Sequence, residues 1–82
     1  MITPEWTVKR VEVIEPYKLK LWFADRSIKV YDFTPLLDWK CFSPLRTPEL
    51  FRTARIYAGS VVWSDEIDIA PEELYENGIP CE

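Results

Sequence analysis

Along the first two fifths of the chain apolar and polar side chains alternate, the pattern of strands with one buried face. Trp6 to Ile14 is β-branched and apolar enough to form a strand, ended by Glu15-Pro16. From Tyr17 to Ala24 the alternation is clean, with Tyr17, Leu19, Leu21 and Phe23 on one face and Lys18, Lys20 and Trp22 on the other. Ser27 to Phe33 reads as the returning strand. A two-residue turn at Asp25-Arg26 places Phe23 opposite Ile28, Leu21 opposite Val30 and Leu19 opposite Asp32, and on the other face Trp22 opposite Lys29 and Lys20 opposite Tyr31. That register predicts one almost wholly apolar face and one basic, aromatic face. A slip of one residue would send every side chain of the returning strand to the other side.

Two Thr-Pro steps follow. In Thr34-Pro35-Leu36-Leu37 and in Thr47-Pro48-Glu49-Leu50-Phe51-Arg52 the threonine can cap, and proline suits the first helical position, where its missing N–H costs nothing. Both predict short helices, and Trp39 to Arg46, holding Ser43-Pro44, reads as an irregular connection. Ala54 to Tyr57 and Ser60 to Ser64 are expected as strands around Ala58-Gly59. Asp65-Glu66 then turns the chain into Ile67-Asp68-Ile69. Ala70 to Tyr75 is expected as a last helical turn or two, with Asn77-Gly78 as a left-handed cap and Pro80 forbidding continuation. Asp32-Phe33-Thr34-Pro35 and Asp68-Ile69-Ala70-Pro71 echo one another 36 positions apart, each ending a strand and opening a helix. Duplication and coincidence both account for so short a string. The fold class expected is α+β: a small antiparallel sheet, made of an N-terminal three-stranded meander plus C-terminal strands, with two or three short helices and room for a duplicated ββα-like unit.

Composition bounds this picture. Eighty-two residues form a single domain spanning 1–82. The aromatic fraction of 15% lets so short a chain bury a core without staples. Cys41 and Cys81 have no companion histidine, no charged-then-apolar leader follows Met1, and no apolar run is long enough to span a bilayer. A cytoplasmic protein with reduced thiols and no membrane association is expected. Charge adds an asymmetry: residues 1–55 carry ten basic and seven acidic side chains, whereas residues 56–82 carry no basic and seven acidic ones, for a net charge of −4. Such a layout bears on partners and not on fold.

Several of these strings resemble a known family. Leu19-Lys20-Leu21-Trp22-Phe23-Ala24-Asp25, Val30-Tyr31-Asp32-Phe33-Thr34-Pro35-Leu36-Leu37, Phe42-Ser43-Pro44-Leu45, Val62-Trp63, Asp68-Ile69 and Leu74-Tyr75 look like the bacterial domain-of-unknown-function 2442 family. The similarity covers nearly the whole chain. Where the family usually carries glycine in its turns, Arg26 and Glu66 stand near those places. The resemblance implies a small bacterial α+β unit, found alone or joined to helix-turn-helix segments, and in some cases proposed as an antitoxin-like partner of a neighbouring small protein. It brings no catalytic residues.

The chemistry on offer is sparse. Without histidine the chain lacks the commonest general base, metal ligand and triad member. Two glycines cannot build a phosphate loop, and two isolated cysteines cannot build a zinc site. No enzyme, cofactor or metal is expected. Asp65, Glu66, Asp68, Glu72 and Glu73 could attract a hard cation, but the turn at Asp65-Glu66 and a helix start at Glu72-Glu73 give those acids structural reasons. The leading expectation is a protein-binding module, antitoxin-like, whose Asp65, Glu66, Asp68, Glu72 and Glu73 meet a basic protein encoded nearby, with Trp39 as aromatic anchor. Trp39 has a rival reading, packing against the domain's own hairpin, and Trp63 reads as core. The alternative function is a nucleic-acid-binding accessory gripping single strands through Lys18, Lys20, Trp22, Lys29 and Tyr31. On that face the competing readings are a solvated sheet surface and a Trp22 covered by another element. Self-association, acidic end against basic face, is a third reading.

Overall fold

A computed structural model describes residues 4–14, 16–64 and 67–80. The first strands run as a meander: β1 (Val8–Ile14), β2 (Lys18–Phe23) and β3 (Ile28–Asp32), each antiparallel to the last. Two 3-10 helices follow, Thr34–Asp38 and Lys40–Arg46, and then the single turn of α1 (Pro48–Phe51). A second meander comprises β4 (Arg55–Tyr57), β5 (Ser60–Ser64) and β6 (Ile67–Ile69), and α2 (Pro71–Asn77) leads into the two-residue β7 (Ile79–Pro80). β7 returns to β3, so the sheets have the orders β1-β2-β3-β7 and β4-β5-β6. The α+β expectation holds, with two small sheets in place of one. The echo between residues 32–35 and 68–71 coincides with a topological repeat, because each three-stranded meander ends there and a helix begins.

The two meanders are joined at one end. Val8 N–H donates to the Gly59 carbonyl at 2.9 Å, while within the first meander Ala24 N–H donates to the adjoining Thr7 carbonyl at 2.9 Å. Gly59 sits in the β4–β5 turn, where Ala58 and Gly59 both take positive φ, 53° and 82°. That is the backbone a two-residue hairpin loop needs to match strand twist. One apolar core fills the space between the elements, drawing Leu19, Leu21 and Phe23 from β2, Phe42 and Leu45 from the second 3-10 helix, and Val61, Trp63 and Leu74 from the second half. Phe33 lies at its centre, fully buried, with the rings of Phe42, Phe51 and Trp63 at 5.1, 5.7 and 5.2 Å. Trp63 belongs to the core as expected, and its indole N–H donates to the Phe51 carbonyl at 2.9 Å.

The β2–β3 register differs from the expectation by one residue. Trp22 pairs with Ile28, Leu21 with Lys29, Lys20 with Val30, Leu19 with Tyr31 and Lys18 with Asp32. The cause is a three-residue loop, Ala24-Asp25-Arg26: Arg26 N–H donates to Phe23 O at 3.0 Å, Phe23 N–H to Ser27 O at 2.9 Å, and Arg26 takes φ 74°. A turn closed by a left-handed residue is the usual three-residue hairpin. Since strand faces alternate with period two, the slip carries Lys29 and Tyr31 to the core side and Ile28 and Val30 to the outside.

Three smaller corrections follow from local geometry. Residues 40–46, expected as irregular, wind into a 3-10 helix despite Pro44, because buried Phe42 and Leu45 sit three positions apart and pack to one side. Neither Thr34 nor Thr47 caps with its side chain; Asp32 Oδ1 instead accepts from Thr34 N–H at 2.9 Å. Gly78 is extended (φ −70°, ψ 148°) and not left-handed. It is required by crowding instead, since a Cβ there would lie 2.6 Å from the Leu74 carbonyl oxygen and 3.0 Å from Lys29 Cβ.

Candidate functional site

The outer face of the first sheet is built by register alone. Its rows run Arg10–Trp22–Ile28, then Glu12–Lys20–Val30–Ile79, then Ile14–Lys18–Asp32. Trp22 is half-buried, with the Arg10 guanidinium 4.7 Å and the Lys20 ammonium 5.2 Å from its ring centre. Each such contact at an exposed site is worth about 0.5–1 kcal/mol. Arg10 also pairs with Glu12 at 2.6 Å. Around this cluster Ile14 is 38% and Ile79 70% exposed, and Ile28 and Val30 are half-buried. The surface therefore joins aromatic and aliphatic area to three cations and two anions, Glu12 and Asp32. Asp32 stays ionised to unusually low pH because Thr34 donates to it from its N–H and hydroxyl, with Lys18 adding attraction.

The proposed basic, aromatic face is split by this register. Lys18, Lys20 and Trp22 share the outer surface, whereas Lys29 and Tyr31 point to the core side. Tyr31 is buried, and its hydroxyl donates to Glu73 Oε2 at 3.0 Å; burial first, and then the Glu73 bond, push its pKa well above the ordinary tyrosine value. Lys29 donates to the Tyr75 carbonyl near the C-terminal end of α2, and its ammonium lies 3.8 Å over the Tyr75 ring. Both side chains fasten α2 to the first sheet and are not available to a ligand.

The acidic stretch is also dispersed. Asp65 and Glu66 lie outside the described residues. Asp68 is exposed on the outer face of β6, Glu72 is exposed on the first turn of α2, and Glu73 faces inward to accept from Tyr31 and from Asn77 Nδ2 at 2.8 Å. Among the described residues no three acidic or cysteine side chains converge as metal ligands. Trp39 is 58% exposed, its ring 6.0 Å from that of Phe42, so it does not pack away on the hairpin. Trp39 and Trp22 stand on different elements, one on the loop between 3-10 helices and one in mid-sheet.

Sequence reasoning missed two features. Ile28, Val30 and Ile79 join Trp22 outside because the turn is longer than Asp25-Arg26; the family's usual glycine after the hairpin acid was the available signal. The second is an open concavity on the outer face of the second sheet, lined by Arg55, Tyr57, Val62, Ser64 and Asp68, with a volume of about 310 Å³. Its residues are spread over 14 positions and become neighbours only through the β4–β5–β6 register.

Among the described residues no helix is long and apolar enough to cross a membrane. No curated protein and no solved structure matches the chain. Residues 8–80, which take in both meanders and the helices between and after them, match the model of the family described as Protein of unknown function (DUF2442), and the chain belongs to that family.

Proposed function

We propose that this chain is a non-catalytic, cytoplasmic protein-binding module whose working surface is the outer face of the first sheet. The observation that carries the reading is Trp22, with the Arg10 and Lys20 cations over its ring, beside Ile28, Val30 and Ile79 on an outer sheet face that is half-buried to exposed among the described residues. A buried-on-contact aromatic with neighbouring arginine is the usual composition of a binding hot spot, and aliphatic neighbours supply the area that excludes water. The charges argue for protein over nucleic acid. A single-strand groove needs a run of cations and several stacking rings, whereas this face interleaves Glu12 and Asp32 with its cations and offers one ring. The absence of histidine from the sequence supports a binding role over a catalytic one.

A second reading places a basic, nearby-encoded partner against the acids, in the antitoxin-like manner the family resemblance implies. Its supporting observation is that Glu72 and Glu76, one helical turn apart on α2, are both exposed in a chain of net charge −4. Affinity capture from the native host separates the two, using the wild type, a Trp22→Ala/Ile79→Ser variant and a Glu72→Gln/Glu76→Gln variant. Loss of the captured protein with the first variant and its retention with the second supports the sheet face. Retention with the first variant refutes it, and loss with the second at raised ionic strength transfers the role to α2. Anisotropy of a labelled single strand that rises at low salt would instead favour nucleic acid.

A further inference from the structure

We propose that the concavity on the second sheet is a binding site for a small zwitterion carrying a carboxylate at one end and an ammonium at the other. Arg55, Val62 and Asp68 occupy one row across β4, β5 and β6, with all three side chains on the outer face. The row sets Arg55 and Asp68 two strand spacings apart, about 9–10 Å between Cα atoms. The two opposite charges share one concavity, yet no ion pair joins them among the described residues. Arg55 is held back from Asp68 by its own anchor, Nη1 donating to the Trp63 carbonyl at 3.0 Å. A guanidinium has five N–H donors, so one fixed bond orients the group without exhausting it. Between the charges lies the half-buried Val62, and Tyr57, 71% exposed, stands at the side with its ring.

This arrangement matches a dipolar ligand part by part. The carboxylate meets the oriented Arg55 fork, the ammonium meets Asp68, the connecting methylenes cover Val62, and Tyr57, next on the Arg55 side of β4, walls the carboxylate end. A simple anion would leave Asp68 repelling it, and a simple cation would face Arg55. Requiring both ends is therefore the mark of the site. The concavity lies at the small end of the range for ligand pockets, about 300–1,000 Å³, a size that suits a short amino carboxylate.

The test is a nitrogen-15 heteronuclear titration of the full chain with γ-aminobutyrate, against butyrate and butylammonium as single-ended controls at constant ionic strength. Saturable shifts at the amides of Arg55, Val62 and Asp68 are expected for the zwitterion, with each control at least about tenfold weaker. Asp68→Asn, an exposed substitution, should reduce γ-aminobutyrate to the level of butyrate, while butyrate, relieved of the Asp68 repulsion, should bind no more weakly than to the wild type. Arg55→Gln should abolish both responses; because it also removes the Trp63 anchor, Asp68→Asn serves as the variant that leaves the sheet intact. Shifts from the zwitterion no larger than those from the controls, or unaltered by Asp68→Asn, would overturn the site.

Discussion

Arg26 holds a left-handed backbone, φ 74°, in a position where its exposed side chain offers little in return. Such a conformation costs an L-residue about 1–2 kcal/mol, partly recovered by glycine's own entropy loss. Arg26→Gly should therefore raise stability by about 0.5–1 kcal/mol in urea unfolding, with the β2–β3 register unchanged. Gly78 is the converse. Its φ suits any residue, but Gly78→Ala would push Cβ into the Leu74 carbonyl and Lys29, and a loss of about 1–3 kcal/mol is expected by the same measurement. Asp25 supplies a pH signature. Hydrogen bonds from the Ser27 hydroxyl, the Tyr75 hydroxyl and Ser27 N–H, with Lys29 nearby, lower its pKa from 3.8 to about 2. A depressed carboxylate stabilises the fold fully above 3.8 and loses that contribution as pH falls through about 2. The stability gap between wild type and Asp25→Ala should be steady near neutrality and close across that window. The same contact, by donating to Asp25, pushes Tyr75 up to about 12, so at alkaline pH its share persists below 10 and disappears as pH rises through about 12. Tyrosinate absorbance should show Tyr75 ionising late in the wild type and earlier in Asp25→Ala.

Among elements, the helical stretch between the meanders depends on Phe33. It follows β3 directly and gathers rings from the second 3-10 helix, α1 and β5. These helices are short and lack side-chain caps, so packing and not intrinsic propensity holds them. Phe33→Ala should cost about 3–5 kcal/mol, comparable with the whole stability of a small domain, and should leave near-UV dichroism largely lost at ambient temperature. The strands were legible because alternation between Tyr17 and Phe23 and the apolar run at Val61 to Trp63 answer directly to burial. The register was not, since it turned on one loop residue whose backbone sign no hydrophobic pattern reports. Residues 40–46 were obscured by Ser43-Pro44, which 3-10 geometry tolerates. Gly78 was placed correctly as the end of α2 but for another reason: crowding from Lys29, a neighbour remote in sequence, leaves no trace in the local string.

At the scale of the molecule, among the described residues the outer face of the first sheet leaves Trp22, Ile28 and Val30 only half-buried while the other face closes the core. Trp22→Ala should accordingly lower stability by no more than about 2 kcal/mol, far less than the loss at Phe33, as a paired denaturation series would measure. Of the candidate site, Lys18, Lys20 and Trp22 could be found from the sequence; their aliphatic neighbours could not, because a slip of one position exchanged Lys29 and Tyr31 for Ile28 and Val30. The Arg55–Asp68 concavity was hidden for a related reason, being a row across three strands and not a motif along one. β7 has a consequence of its own. Among the described residues it joins β3 through Lys29–Pro80 and Val30–Ile79, proline has no N–H to contribute, and Ile79 stays largely in solvent, so these pairs add little free energy to that rim. In deuterium exchange the β3 amides directed away from β2 should label through local opening well before those of β2, whose two flanks are both occupied. The sheet thus has a loosely buttoned margin, where the chain unfastens first while its centre stays shut.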